Sequence, residues 1–504
     1  MTLTNKFQVE RMYDLEKVFN QLFAQGKDNK VFNSLHKLIL SEDNILLALK
    51  NIGLKIGRHT RGVDGKTISD YEKLPTEKFI QIVKRRFNNF KPMKVRRIAI
   101  PKDNGTQRIL GILTVEDRII QQCIKQILEP ICESKFHPNS FGFRPLRSTK
   151  YAINQMILLL QMAKYDYCVD IDLKNFFDNV AHEILIEQIY NLGIHDKKLL
   201  SVISKMLKVY VEGEGIKSVG LVQGANLSPL LSNIVLNEFD WWLNSQCKTK
   251  DLTPADNRIY FVNAFKIFNK IKIWLNETLK LNISQEKSKI LNIKIHGVEF
   301  LGFKIKSTMK NGVYSVESHI AERNKLKIQN NLCKIISKID SGGKNAEKVL
   351  KKLNQQIMLA QNYYESASHV QQDFVTIAEH CQSLIDDKLS HFAEKVSIVF
   401  LGKSITTYKI NATVSIPLAC VVHRKPRIFP PNMSIYARAN VKKFNAANRG
   451  KTSRTKCSYR KIQSSPSEIG TPPAEEKPAE CGLIATIKKY FSNLFCKKNT
   501  APQI

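Results

Sequence analysis

The segment Tyr167–Asp178 constrains the fold most, because it joins an alternating strand to an acidic turn. Its apolar residues alternate with Cys168, Asp170 and Asp172, a period of two that places both aspartates on one face of a strand. A carboxylate at the end of an apolar strand is costly to bury unless a cation or a hydrogen-bond donor meets it. Two interpretations follow: Asp172 caps the next helix, or it binds Mg²⁺ beside a nucleotide phosphate.

The charge balance indicates a polyanionic partner. The chain has 78 lysines and arginines against 45 acidic residues, a net charge of +33. Nucleic acid is the commonest ligand of so basic a protein, and the basic residues are spread over nearly all the chain, which disfavours the alternative of a basic protein without such a ligand. The ten cysteines are scattered and include no C-x₂-C pair, so the sequence predicts neither a zinc ribbon nor a disulfide framework.

Targeting features are the next constraint. The sequence begins without a secretory signal pattern and holds no apolar run of about 20 residues. It therefore predicts a protein without a membrane-spanning segment, in the bacterial cytoplasm or in an organellar matrix or stroma.

A basic hairpin is predicted before the acidic strand. Val95–Ile100 alternates, Asp103-Asn104-Gly105 is a tight-turn signature, and Gln107–Leu113 returns. A plain surface hairpin is one interpretation. The other is a grip on phosphates, because the hairpin carries the basic residues Lys94, Arg96, Arg97, Lys102 and Arg108.

Apolar periodicity predicts most other elements. Helices are expected from Thr67 through Val83, from Glu116 to just before Pro130, from Ser148 to Met162, from Ile271 to Leu281, and over most of 320–395. Arg258–Phe268 is predicted to be a strand or a tight hairpin, and Glu299–Lys304 a short apolar strand. Phe141–Pro145 is a turn that displays Arg144 between aromatic residues.

Gln223–Asp240 is a glycine loop that feeds a helix, with Pro229 in the first turn. A glycine near a helix N-terminus can contact a phosphate or a base closely, although the motif alone is weakly specific.

The C-terminal region changes composition twice. Residues 437–462 hold nine basic residues and no acid, and residues 464–480 are rich in Pro, Ser and Glu, as in a disordered linker. Residues 483–495 present one apolar face, which fits either a docking helix or a poorly ordered tail. The basic residues predicted to bind nucleic acid here are Lys442, Lys443, Arg449, Lys451, Arg454, Lys456, Arg460 and Lys461.

Taken in order, several segments resemble the reverse transcriptase and maturase proteins encoded in group II introns. The resemblance covers roughly residues 40 to 450. It rests on the ordered set Thr60–Gly65, Arg96–Lys102, Leu128-Glu-Pro130, Ser140–Pro145, Asp170–Asp178, Gln223–Asn233, Ser284–Lys289, Glu299–Lys304 and Asn362-Tyr-Tyr364 with His369.

The resemblance implies an α+β right-hand polymerase fold with a basic, partly disordered C-terminal tail. Fingers are expected at 20–165, a palm with an antiparallel sheet at 166–310, and a helical thumb or maturase domain at 311–430. A basic nucleic-acid-binding tract at 431–462 and a linker with a short amphipathic tail at 463–504 complete this division.

The resemblance also implies roles for individual residues. Asp172 is expected to be the catalytic, Mg²⁺-binding aspartate, and Phe177 to lie under the sugar of an incoming nucleotide. Gln223 and Gly224 would track the template–primer, and three basic residues would hold phosphates, namely Arg96, Lys102 and Arg108. Arg144 is expected to contact nucleic acid. The implied partners are structured intron RNA and an RNA/DNA template–primer, and the resemblance leaves a homodimer open.

One departure from the family changes the expected activity. The family carries further metal-binding aspartates on a Tyr-Ala-Asp-Asp hairpin, and the matching residues here are Phe261-Val-Asn263-Ala264. Asn263 offers one neutral oxygen and Ala264 offers none, so nucleotidyl transfer is predicted to be lost or severely weakened. Asp256 lies outside the register of the motif. A zinc-type HNH nuclease is not expected, because the Cys and His pairs that it needs are missing.

Three functions remain open on the sequence. The first is a maturase-type protein that binds intron RNA and assists splicing. The second is a working RNA-directed DNA polymerase in which Asp172 and another acid hold Mg²⁺. The third is a nucleic-acid-binding remnant without an intron partner.

Overall fold

The structure is a computed structural model that describes residues 9–101, 105, 107–164, 166–246, 257–340, 343–400, 403–411, 413–418 and 421. Residues 1–459 form one unit and residues 460–504 a second, and all described residues belong to the first. Lys102 and the eight basic residues from Lys442 to Lys461 lie outside the described residues, as do the predicted linker and terminal helix.

The N-terminal part is mainly helical. Its elements are α1 (Val9–Lys27), α2 (Leu35–Ile39), α3 (Glu42–Gly53), a 3₁₀ turn (Ile56–His59), α4 (Ile68–Glu72), α5 (Thr76–Asn88), β1 (Arg96–Pro101), β2 (Gln107–Ile112), α6 (Val115–Glu133) and α7 (Thr149–Ala163). The β1–β2 pair is the predicted antiparallel hairpin, with Arg96 opposite Ile112. Helix α6 is the central element of this N-terminal part, because its residues Ile119, Ile124 and Ile127 are fully buried.

Two predicted helix boundaries in this part are wrong. The helix expected from Thr67 through Val83 is divided into α4 and α5 at Leu74-Pro75, because proline lacks an N–H and biases the residue before it away from helical geometry. Conversely, α6 does not stop before Pro130. It continues to Glu133, because Ile131 and Cys132 are buried in the core and their burial offsets the hydrogen bond lost at the proline.

The acidic strand opens the second part. Its elements are β3 (Tyr167–Asp170), α8 (Phe176–Asn179), α9 (His182–Asn191), α10 (Lys197–Leu207), α11 (Ser228–Gln246), α12 (Asn257–Leu279) and β4 (Lys289–Asn292). Strand β3 pairs antiparallel with β4, with Asp170 opposite Lys289. In the described part of the chain these two strands form a sheet of their own.

The strand or hairpin predicted at Arg258–Phe268 is also wrong, because these residues form the first half of α12. Ile271, Leu275 and Leu279 recur at a spacing of four and are buried, which is the period of a helix packed along one face. Trp274 also stacks on Trp242 of α11 with ring centroids 5.2 Å apart. Burial on this helical face outweighs the strand preference of the short aromatic run before it.

The third part joins a hairpin sheet to long helices. Its elements are β5 (Val298–Phe300), β6 (Phe303–Lys310), β7 (Val313–Ile320), α13 (Glu322–Ile336), α14 (Ala346–Tyr364), α15 (Val370–Ser390), β8 (Glu394–Phe400), β9 (Lys403–Ile410) and β10 (Thr413–Val414). Strands β5, β6 and β7 form one antiparallel sheet and β8, β9 and β10 another. The single strand predicted at Glu299–Lys304 is instead split by a turn, where Leu301 and Gly302 have φ of 49° and 84°.

Two hydrophobic clusters hold these parts together. One lies among the helices α1–α6 and α8–α12, and the other joins β5–β7 to α13–α15 and to Ile153 and Leu160 of α7. The mixed helix and sheet content agrees with the predicted α+β class. Within the described ranges, none of the helices combines the length and the apolar character that crossing a membrane requires.

Candidate functional site

A cavity of about 940 Å³ brings together residues that the sequence predicted separately. Arg108 comes from β2, Phe177 from α8, and Gln223 and Gly224 from the loop before α11; all four line it. The side chains of Lys55 and Phe143, which the sequence did not single out, line it as well. The cavity therefore joins the basic hairpin, the turn after the acidic strand and the glycine loop.

Two glycines allow the hairpin and the glycine loop to meet. The Gly111 N–H donates to the Gln223 carbonyl at 2.7 Å. A Cβ at Gly111 would lie 2.4 Å from Val222 Cγ1 and 2.8 Å from Val95 Cγ1, so a side chain does not fit there. Gly224 has φ of 102°, which favours glycine, and a Cβ on it would approach the Gly111 carbonyl oxygen to 3.0 Å. The backbones themselves thus form one wall of the cavity.

The cavity is mainly cationic. Its basic lining residues are Lys55, Arg97, Arg108, Lys125 and Lys217, against the acids Asp178 and Glu214. Glu214 neutralises part of this charge, because it pairs at 2.9 Å with both Arg97 and Lys217. Arg108 is exposed, so the cationic character predicted for the hairpin reaches the cavity through that residue.

Lys55 is a basic residue of the cavity lining. Burial, reinforced by the positive charges of Lys125 and Arg118, lowers the pKa of Lys55 to about 8. Its ammonium donates to Asn226 Oδ1 at 2.7 Å, which fixes it beside the glycine loop. A partly desolvated ammonium held in this way would be stabilised by a phosphate group.

Arg96 is placed differently from the prediction. Its guanidinium donates to the Arg61 carbonyl at 2.9 Å, and it is not among the residues that line the cavity. In this structure Arg96 ties the hairpin to the loop before α4.

Two phenylalanines face each other at the cavity. Phe143 has a φ of 56° and is 64% exposed, an unusual combination for a large apolar residue. Its ring meets Phe177 edge to face with centroids 6.4 Å apart, and Phe177 also contacts Phe176 at 5.5 Å. The sequence showed the aromatic turn around residue 143 but not its contact with Phe177, because the two residues are 34 positions apart.

Asp172 lies just after β3 and its backbone is firmly held. Its N–H donates to Ser288 Oγ at 3.0 Å, and its carbonyl accepts the Ser284 N–H at 2.7 Å. Its side chain is 48% exposed, and Oδ2 lies 3.5 Å from Lys287 Nζ. The helix-capping interpretation does not fit, because Asn175 occupies the N-cap position of α8.

Asp170 shares the electrostatic environment of Asp172. Burial raises the pKa of the Asp170 carboxyl, the Asp172 charge adds to that effect, and Lys289 opposes it. The two aspartates predicted to share a strand face therefore interact through their charges.

The residues that the sequence analysis matches to the family's aspartate pair lie on a helix. Asn263 and Ala264 belong to α12, which packs against β3. The side chain of Asn263 lies outside the described part of the structure. Ala264 has only a methyl group and cannot bind a metal ion, so this helix supplies no carboxylate at position 264.

Arg144 requires a correction. Its side chain is only 3% exposed, and it donates to both carboxylate oxygens of Glu133 at 2.9–3.1 Å. It also donates to the His137 and Ser140 carbonyls at 2.7 and 2.9 Å, and it stacks on Phe136. The predicted contact with nucleic acid does not fit this burial. The guanidinium instead holds the Phe141–Pro145 turn against α6.

Comparison with known proteins supports the predicted resemblance. Residues 100–305 match the family described as reverse transcriptase (RNA-dependent DNA polymerase). This range contains Asp172 and four residues that line the cavity, namely Arg108, Phe177, Gln223 and Gly224. Protein YkfC of Escherichia coli K12 is 38% identical over 200 residues, which is 38% of this chain and 51% of that protein. The group II intron-encoded protein LtrA of Lactococcus lactis is 35% identical over 272 residues, 53% of this chain and 44% of LtrA.

A more distant relative extends the match. Maturase-like protein 1 of Euglena gracilis is 27% identical over 328 residues, 60% of this chain and 66% of that protein. The chain thus spans about half the length of YkfC and LtrA. By sequence, residues 100–305 match a reverse transcriptase domain. Within that class the chain is a homologue of the intron-encoded reverse transcriptases and maturases, which confirms the resemblance deduced from its motifs.

Proposed function

We propose that the protein binds structured intron RNA and assists splicing as a maturase, and that its RNA-directed DNA polymerase activity is lost or very weak. The observation that carries this proposal is the surroundings of Asp172. The segment that should bring further carboxylates to it is part of the helix α12, and Lys287 stands 3.5 Å from its carboxylate.

A two-Mg²⁺ centre does not fit these residues. Nucleotidyl transfer between two Mg²⁺ ions requires hard oxygen ligands that also offset the charge of the ions. Asp172 supplies one carboxylate, its neighbour Lys287 adds positive charge, and Ala264 supplies no ligand. We therefore derive no catalytic step that passes through metal ions at this position.

RNA binding needs only the features that remain. The cationic cavity, the exposed Arg108 and the aromatic edge of Phe143 suit contacts to phosphates and unstacked bases. In this proposal the fingers comprise residues 20–165, the palm 166–310 and the thumb or maturase domain 311–430. The tract at 431–462 adds basic residues from outside the described part of the chain.

The assembly and location of the protein are part of the same proposal. A homodimer would be detected by light scattering of the purified protein at its working concentration.

The proposed compartment is the bacterial cytoplasm or an organellar matrix or stroma, where the protein would encounter intron RNA.

One observation favours a second candidate function, a slow but working polymerase. Asp170 and Asp172 are two residues apart, a spacing that puts them on one face of a strand, and they interact through their charges, so Asp170 is a candidate to join Asp172 around a cation. In that case cDNA synthesis would depend on both aspartates, and Asp170→Asn would abolish it.

The pH dependence of RNA binding tests the role of Lys55. The pKa of Lys55 is lowered to about 8, so its positive charge is present at pH 7 and is lost as the pH rises through 8. The affinity for RNA should therefore fall between pH 7 and pH 9, by roughly fivefold for one ion pair of this kind. Lys55→Arg should remove this fall, and Lys55→Met should bind more weakly at pH 7 with little further change. Filter binding at constant salt measures the RNA affinity of each protein across this pH range. A wild-type profile as flat as that of Lys55→Arg would contradict this role.

Splicing in the presence and absence of the protein tests the proposed function. The substrate is the RNA transcribed from the DNA that flanks the coding region, at a Mg²⁺ concentration where it splices slowly alone. We expect wild-type protein to accelerate splicing at least tenfold, and Arg108→Ala to lose most of that gain. Lys388→Ala is the control, because Lys388 lies on α15 and is not among the residues that line the cavity. Tight RNA binding without any change in splicing would instead favour a nucleic-acid-binding remnant.

A further inference from the structure

Three metal-ligating side chains meet between β7 and α15, in the region proposed as the thumb or maturase domain, and none of them lines the cavity. Glu317 and His319 lie on β7, and His369 precedes α15. One ligand atom from each lies within 4.8 Å of the other two, and this is the group of three such residues found in the described part of the chain. All three side chains are half-buried, so an ion could reach them from solvent.

The backbone fixes the spacing of this group. Glu317 and His319 are two residues apart on a strand, so they share one face of the sheet. Between them, the Ser318 N–H donates to Ser368 Oγ at 2.8 Å, and the Ser368 N–H donates to Ser318 Oγ at 2.9 Å. The His369 N–H adds a bond to the Ser318 carbonyl at 3.1 Å. This reciprocal pairing sets His369 beside His319.

Both imidazoles are oriented through their Nδ1 atoms. His319 Nδ1 lies 3.2 Å from a carboxylate oxygen of Asp373, and His369 Nδ1 lies 2.9 Å from Ser368 Oγ. Asp373 is itself buried and fixed, since it accepts the Ile320 N–H at 2.7 Å and the Lys325 ammonium at 2.8 Å. A carboxylate behind the ring of a histidine is the usual arrangement that orients a metal ligand and raises its basicity.

The charges around the group are mixed. Glu317 and Asp373 contribute two carboxylates, and Lys325 contributes one ammonium that Glu322 also meets at 2.8 Å. Lys304 and Lys306 of β6 lie opposite His319 and Glu317 in the sheet and add positive charge. Asp373 lies in the first turn of α15, where its charge offsets the positive end of the helix dipole.

We propose that Glu317, His319 and His369 form a Zn²⁺ site that joins β7 to the start of α15. Two imidazoles and one carboxylate suit Zn²⁺, with water as a fourth ligand, whereas Mg²⁺ prefers oxygen ligands throughout. The two rings are stacked, with centroids 4.3 Å apart and planes 17° from parallel. Zn²⁺ binding therefore requires one ring to turn about χ2 and to give up its present Nδ1 contact, so that both rings can present a nitrogen to the ion.

Metal titration of the full chain tests this site. The protein is stripped with a chelator and titrated with Co²⁺, whose visible absorption reports tetrahedral coordination, and Zn²⁺ is then added to displace the Co²⁺. We expect the double variant His319→Gln/His369→Gln to bind one Co²⁺ fewer than the wild type. Zinc should also raise the melting temperature of the wild type but not that of the double variant. His380→Gln is the matched control, because His380 is an exposed histidine on the same helix α15.

The comparison with the double variant isolates this site from other ligands. Thiols elsewhere in the chain that bind Co²⁺ are present in both proteins, so they cancel in the difference. Equal Co²⁺ stoichiometry in wild type and double variant, with circular dichroism showing both folded, would overturn the proposal. RNA affinity is measured on the same samples, and because Zn²⁺ binding does not depend on RNA binding, failure of one leaves the other standing.

Discussion

Purified protein supplied with an RNA template, an annealed DNA primer, deoxynucleotides and Mg²⁺ will extend the primer at least about 10³-fold more slowly than a related reverse transcriptase with intact aspartates. Removing one electrostatic contributor from an active site commonly costs about 10²–10³ in rate, and this site is short of two carboxylates. Lys287 adds to the deficit, because its ammonium already pairs with Asp172 at 3.5 Å.

The control for this experiment is Asp172→Ala. If Asp172 no longer holds a catalytic metal ion, the variant and the wild type will give the same background. RNA affinity should also be nearly unchanged, because a carboxylate repels phosphate when no metal ion bridges them. cDNA that accumulates with the wild type and disappears in both Asp172→Ala and Asp170→Asn would refute the proposed loss of activity and establish the slower polymerase.

Replacing Arg144 by alanine will lower the free energy of unfolding of the part that contains α6 by about 3–5 kcal/mol. Truncating one partner of a buried ion pair leaves the other charge without compensation, and costs of this size are typical. The uncompensated group here is Glu133, which is 6% exposed and accepts from the guanidinium Nε on Oε1 at 3.0 Å and from Nη2 on Oε2 at 2.9 Å. Urea unfolding followed by circular dichroism measures the change.

A paired variant separates the ion pair from the turn that it holds. Glu133→Leu/Arg144→Met replaces both charges with apolar side chains of similar size, and such replacements are often neutral or stabilising. We expect it to recover most of the stability lost in Arg144→Ala. If Arg144→Ala were as stable as the wild type but bound RNA much more weakly, the sequence-based assignment of Arg144 to nucleic-acid contact would be correct after all.

Local patterns in the sequence were sufficient to predict the basic hairpin and the acidic strand. In both, the period of two and a turn signature lie within about 20 residues. The order of the motifs was sufficient to identify the resemblance to the family, although each motif alone has low specificity. The sequence did not predict the cavity, although four residues that it singled out separately line it.

Other features depend on contacts that a sequence pattern does not reveal. Arg144 and Phe143 are one residue apart in the same turn, yet one is buried against Glu133 and the other is exposed beside Phe177. Residues 258–268 have the composition of a strand, yet they belong to a helix whose second half is packed through Ile271, Leu275 and Leu279 and through Trp274 on Trp242. The histidines of the proposed Zn²⁺ site are 50 positions apart and are joined by Ser318 and Ser368.

The helix α12 has a consequence for how this protein could evolve. Its register is set by Ile271, Leu275 and Leu279, which point into the core. Aspartates introduced at positions 263 and 264 would lie on this helix. Their side chains would point in directions about 100° apart around the helix axis, rather than together at the tip of a hairpin. Under the proposed loss of polymerase activity, two codon changes alone would therefore not restore DNA synthesis. Restoring a hairpin there would also demand a different backbone for the whole segment.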